Sequence, residues 1–168
     1  MKIVSAVKHS LVGTVVTIGL LSAHTAAGFE VTTVKKGNFD SDLIISADKL
    51  LIEAEIASDL IAAGGEIEVN SNIKGDVLVV GGRIDVTKTI QGGLMAMAGN
   101  LSMEADVLDA VSIFAGKAKV SGDIKGDALA IGGKLDFTGD VDGDLRAAAG
   151  KLTLHQRING NVLASAGV

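Results

Sequence analysis

A glycine returns every 17 residues along this chain, at Gly65, Gly82, Gly99, Gly116, Gly133, Gly150 and Gly167. Such a period limits the fold severely, because a unit this short cannot enclose its own apolar face and must stack on copies of itself. Ordering one unit costs more conformational entropy than its few apolar side chains return, so no unit folds alone. In rows of 17 the chain reads GEIEVNSNIKGDVLVVG, GRIDVTKTIQGGLMAMA, GNLSMEADVLDAVSIFA, GKAKVSGDIKGDALAIG, GKLDFTGDVDGDLRAAA and GKLTLHQRINGNVLASA. The row from Asp48 to Gly64 fits with Asp in place of the leading Gly, and the row from Val31 matches only in its second half.

Within each row, apolar residues at the third, ninth and fifteenth places are six apart, and the step into the next row is five. Three steps per turn predict a coil with three short strand faces. Alternation inside a face has period two, as in Lys134-Leu135-Asp136-Phe137-Thr138, which is the signature of a strand. The fold class expected is all-β, a single three-sided parallel β-helix of 17-residue rungs. Glycine pairs and a recurring Gly-Asp, at Gly75-Asp76, Gly126-Asp127 and Gly143-Asp144, mark the corners, where glycine is expected to supply positive φ. The chain has 22 glycines, no proline, no tryptophan or tyrosine and only four phenylalanines, so the core must be ladders of small aliphatic side chains. Proline would remove a ladder hydrogen bond in any rung.

Residues 1–27 stand apart. Lys2 and Lys8 precede an apolar run from Leu11 to Leu21, and Thr25-Ala26-Ala27 offers small residues for cleavage before Gly28. That is the layout of a secretory signal peptide, and the run is short for a membrane span. The expected organisation is a signal peptide over 1–27, a partial rung or cap over 28–47 and a β-helix of about seven rungs over 48–168. The expected location is the periplasm or the cell surface, the alternative being an inner-membrane anchor formed by an uncleaved N-terminus. There is no cysteine for a disulfide or a lipid. Removing the two leader lysines leaves 13 basic against 20 acidic residues, a net charge of −7, which speaks against nucleic-acid binding.

Chemistry is sparse. His155 is the one histidine outside the leader and falls at an outward place, so no catalytic grouping is expected, and neither is a cofactor, nucleotide or metal. A column of Asp42, Asp59, Asp76, Asp127 and Asp144, extended by Asn161, admits a calcium reading, but it is interrupted by Gly93 and Ala110. The preferred reading is that these side chains cap tight turns through their own backbone.

Two surfaces stand out instead. On the third face the outward places hold Leu78, Val80, Met95, Met97, Phe114, Leu129 and Ile131, a greasy side over about four rungs that fades at Arg146, Ala148 and Ser165. Contiguous exposed apolar patches mark interaction surfaces, here for an envelope protein or a membrane surface. The ends of a β-solenoid also expose strand edges, and Gly167-Val168 carries no recognisable cap. End-to-end assembly is expected through Phe39, Leu43 and Ile45 at one end and Leu163, Ala164 and Val168 at the other.

The rows GGRIDVTKTIQGG and GGKLDFTGDVDGDL, alternating between glycines with Gly-Asp-Val or Gly-Asp-Leu at the next corner, resemble the bactofilin family of polymer-forming proteins over Asp48 to Val168. That resemblance implies a right-handed β-helix that assembles end to end without nucleotide and serves as a non-enzymatic scaffold. The leader is a departure, since bactofilins are usually cytoplasmic. Left-handed hexapeptide acyltransferases have a full turn of 18 and a catalytic histidine, and this chain has neither. The other class to weigh is a surface adhesin or protein-binding module using the apolar third face.

Overall fold

The computed structural model describes residues 31–34 and 38–167, so the signal peptide expected over 1–27 lies outside the described residues. Eleven strands follow in order: β1 (Val31–Val34), β2 (Asn38–Phe39), β3 (Leu43–Ile52), β4 (Glu55–Ile56), β5 (Leu60–Val69), β6 (Val77–Val86), β7 (Leu94–Met103), β8 (Val111–Val120), β9 (Ala128–Phe137), β10 (Leu145–Leu154) and β11 (Val162–Ala166). From β3 and β5 through β11 each strand pairs in parallel with the next, and Val77, Leu94, Val111, Ala128, Leu145 and Val162 lie in one column. Consecutive 17-residue rows are therefore vertical neighbours, and the fold is a β-solenoid of about eight turns. Rungs are numbered one to eight here, with β3, β5 and then β6 to β11 opening on their third faces.

The rung differs in detail from three equal strands. Each long strand runs from place thirteen of one row through the glycine corner to place five of the next, as β6 does from Val77 across Gly81-Gly82 to Val86. The third and first faces thus share one continuous ten-residue strand. The second face is short, with turns on both sides, and above β2 and β4 it is held by one bridging residue per rung, from Ile56 through Ile73, Ile90 and Val107 up to Ile158. At the N-terminal end β1 pairs Val31 with Lys49, an offset of 18, while β2 pairs Asn38 with Glu55 at the regular 17. The first rung therefore carries one additional residue between β1 and β2.

Places three, nine and fifteen face inward as expected, and five and thirteen join them. Leu101, Met103, Val107, Val111 and Ile113 form one such rung, all buried. Side-chain volume is traded along a strand. Ala128 and Ala130 make the third face small in β9, and Phe137, wholly buried, lies further along the same strand, over Val120. Place seven also turns inward in most rungs and holds Ala54, Ala105, Gly122 and Gly139. Ser71 stands there in its own rung, 4% exposed, with a hydroxyl that meets no partner.

The corner glycines are needed for a reason other than the one expected. None of those described adopts a left-handed φ; what they avoid is a Cβ driven into the rung below. A Cβ on Gly143 would lie 2.4 Å from Oδ1 of Asp127 and 2.6 Å from the Gly126 carbonyl oxygen. Rungs repeat at the ~4.8 Å strand spacing, and where the backbone of such a corner turns closely over its predecessor, glycine keeps a clearance that a Cβ would take up.

Candidate functional site

On the third face, places fourteen and sixteen flank the inward fifteenth and point out, because side chains alternate along a strand. Column fourteen reads Ile61, Leu78, Met95, Ser112, Leu129, Arg146 and Leu163, and column sixteen reads Ala63, Val80, Met97, Phe114, Ile131, Ala148 and Ser165. Met95 and Met97 are each 42% exposed and Ile131 is 45% exposed, while Leu78 and Phe114 are half-buried. Ile44 and Ile61, not singled out from the sequence, carry the stripe down to rung one. Their signal was available, since both occupy place fourteen of the two rows below Leu78. Between the stripe and the acidic corner, Gly93, Ala110 and Ser112 leave a groove of about 430 Å³ bordered by Asp76 and Met95.

The ends divide differently from the expectation. Leu43 is only 3% exposed and belongs to the core, since place thirteen points inward, so it is not presented at an end. Phe39 and Ile45 are half-buried against that core. At the other end Leu163 is 71% exposed, but it stands in column fourteen and continues the lateral stripe. Ala164 occupies the inward fifteenth place and is exposed, with Val162 beside it; Val168 lies outside the described residues. Beneath them Leu152, Leu154 and Ile158 are only partly buried against the core.

The acidic column holds backbone. Asp59 accepts the Asp76 N–H at 2.8 Å, Asp76 accepts that of Gly93 at 2.8 Å, and Asp127 and Asp144 do the same for Asp144 and Asn161. Each carboxylate thus serves the residue 17 places later in the rung above, and not its own turn. Where Gly93 offers no acceptor, Asp109 accepts the Ala110 N–H at 2.8 Å instead. A second ladder escaped the sequence reading: at place eight, Asp106, Asp123 and Asp140 accept the N–H groups of Asp123, Asp140 and Arg157. Among the described residues no three His, Cys, Asp or Glu side chains come together as a metal site would need, and His155 is exposed.

No family model, curated protein or solved structure matches this chain. Its candidate site is thus defined by its own surfaces, the lateral stripe and the terminal rungs.

The ladders make rung eight acid-sensitive. Asp140 accepts the Arg157 N–H at 2.9 Å and its guanidinium at 3.0 Å; Asp144 accepts the Asn161 N–H at 2.8 Å and its side-chain amide at 3.1 Å. These bonds hold both carboxyls below their ordinary value of 3.8. A carboxyl lowered in the folded state stabilises the fold above that value and ceases to as pH falls through its folded-state pKa. Hydrogen-exchange protection at the Arg157 and Asn161 amides should therefore fall below pH 3.8 while Ile113, deep in rung five, stays protected. Uniform loss over all rungs would contradict this assignment.

Proposed function

We propose that the chain is an exported, non-enzymatic structural protein, bactofilin-like in kind, that self-associates end to end. The observation that carries this reading is the terminal rung. All five residues of β11 are exposed, and Leu152, Leu154 and Ile158 below them are incompletely covered. A parallel strand edge with apolar side chains aimed along the stack is a template for another rung. The opposite end offers matching columns: β1 stands in register with first-face residues 49–52, Phe39 pairs with Ile56, the place that Ile158 fills in rung eight, and Ile45 shares place fifteen with Ala164. A second copy continuing the coil would set β1 on Lys151–Leu154, Phe39 on Ile158 and residues 43–47 on β11. The leader-like residues 1–27 support export, and the outward His155 supports a role without catalysis.

Ala164→Lys tests this reading. Its side chain would be aimed at the next copy while the chain's own rungs lie beneath it, so the fold should persist and filaments should vanish in negative-stain microscopy and sedimentation. Unchanged filaments would refute end stacking. A surface adhesin or protein-binding module is the second reading, favoured by the exposed columns fourteen and sixteen. A monomer at all concentrations that binds envelope fractions would establish it.

A further inference from the structure

The lateral stripe has a pattern of its own, independent of the ends. In five of its eight rungs a large and a small residue are paired across it. Ile61 stands beside Ala63, Arg146 beside Ala148, and in rung five the order inverts, Ser112 beside Phe114. The first and last rungs repeat the common order, with Ile44 beside Ser46 and Leu163 beside Ser165. The inverted rung is also the one beside the groove that Gly93 and Ala110 leave open.

We infer that this face is an interface with a second copy of the chain, related by a two-fold axis parallel to the solenoid axis. Such an axis sets column fourteen of one copy against column sixteen of the other at the same rung. In those five rungs each large residue then meets a small one: Phe114 of the second copy enters the groove at Ser112, and Ala148 and Ser165 accept Arg146 and Leu163, while in the other three Leu78 meets Val80, Met95 meets Met97 and Leu129 meets Ile131. A two-fold axis across the stack would instead oppose like columns in reversed order. Ala63 would meet Ala148 and Ser46 would meet Ser165, leaving gaps, while Ile61 met Arg146.

Charge at the rims selects the same arrangement. Column twelve borders the stripe on one side with Asp42, Asp76, Asp127 and Asp144, and place two, on the same strands past the corner, borders it on the other with Lys49, Arg83, Lys134 and Lys151. The parallel axis brings each of these four aspartates over a lysine or arginine of the second copy; the transverse axis brings Asp59 over Asp144 and Asp76 over Asp127. The level of β5 is the exception, with Asp59 and Glu66, and there Glu66 already pairs with Lys49 at 2.9 Å. Opposite rims of this kind orient an association more than they strengthen it. Eight strands at ~4.8 Å and five residues at ~3.3 Å make a face on the order of 600 Å² per copy, so the pair would bury about 1,200 Å², the lower bound of stable interfaces. Two filaments joined this way share one polarity, although the pairing does not depend on end stacking.

Because the chain has no native cysteine, single thiols report it cleanly. Ala63→Cys and Ala148→Cys place thiols in column sixteen of rungs two and seven. With a short bismaleimide each full-length variant should cross-link to itself, and a mixture of the two should give no mixed product. Met97→Lys, an outward change, should reduce both cross-links to background with an unchanged circular dichroism spectrum. Mixed product alone would show the transverse axis, and no cross-linked product, or product that survives Met97→Lys, would show that no second copy sits on this face; each overturns the inference. Ala164→Lys should leave the self-cross-links intact, which separates this outcome from the fate of end stacking.

Discussion

Phe137→Ala should be the most damaging truncation in the chain. Phe137 is wholly buried, the largest side chain in the core, and it stands over Val120 and under Leu154 in one column. Its own strand supplies Ala128 and Ala130 and the strand beneath supplies Ala118, side chains too short to swing in and fill the vacated volume. Removing a buried Phe costs ~3–5 kcal/mol where the site cannot collapse. In a stack whose rungs touch only their neighbours, a loss near one end is relieved by releasing that end. Hydrogen exchange should therefore show β10 and β11 opening while β5 to β7 keep their protection, and the denaturation midpoint should fall or the transition should split in two. A single cooperative transition shifted by less than ~1 kcal/mol would show that the column repacks.

Gly143→Ala comes next, and it probes the corner. The added methyl would meet Oδ1 of Asp127 at 2.4 Å and the Gly126 oxygen at 2.6 Å. Relief requires displacing the carboxylate, which breaks its 2.8 Å bond to the Asp144 N–H, or widening the spacing between rungs. Overpacking of this kind costs ~1–3 kcal/mol. Asp127→Ala alone should cost less, since it forgoes one exposed hydrogen bond of ~0.5–1.5 kcal/mol. The double variant should be more stable than the sum of the two single losses predicts, because one of the two collisions disappears with the carboxylate. Strict additivity in urea unfolding would show that the Gly-Asp pair does not act as a unit.

Much of this was legible in the residues. The glycine period set which residues are vertical neighbours, and Val79 does lie over Ala62 and under Ala96. The outward character of Leu78, Val80, Met95 and Met97 followed from alternation alone. Three things did not follow. The target of each aspartate is an N–H 17 residues away, so a local turn motif suggested the wrong partner. Glycine at a corner looks the same in sequence whether it serves φ or clearance, and only the position of the rung below decides between them. Leu43 looked like an end residue by its place in the chain, whereas its inward direction puts it in the core.

The residues themselves determined the architecture, because a repeat that cannot bury its apolar places alone has only stacking open to it, and stacking copies of equal length determines the register. The tertiary structure decided which surfaces that architecture leaves for contact. Whether a carboxylate is free or engaged, and whether an apolar side chain lies in the lateral columns or at the terminal edge, depends on atoms one rung away. Those atoms are remote in sequence and adjacent only once the coil has closed.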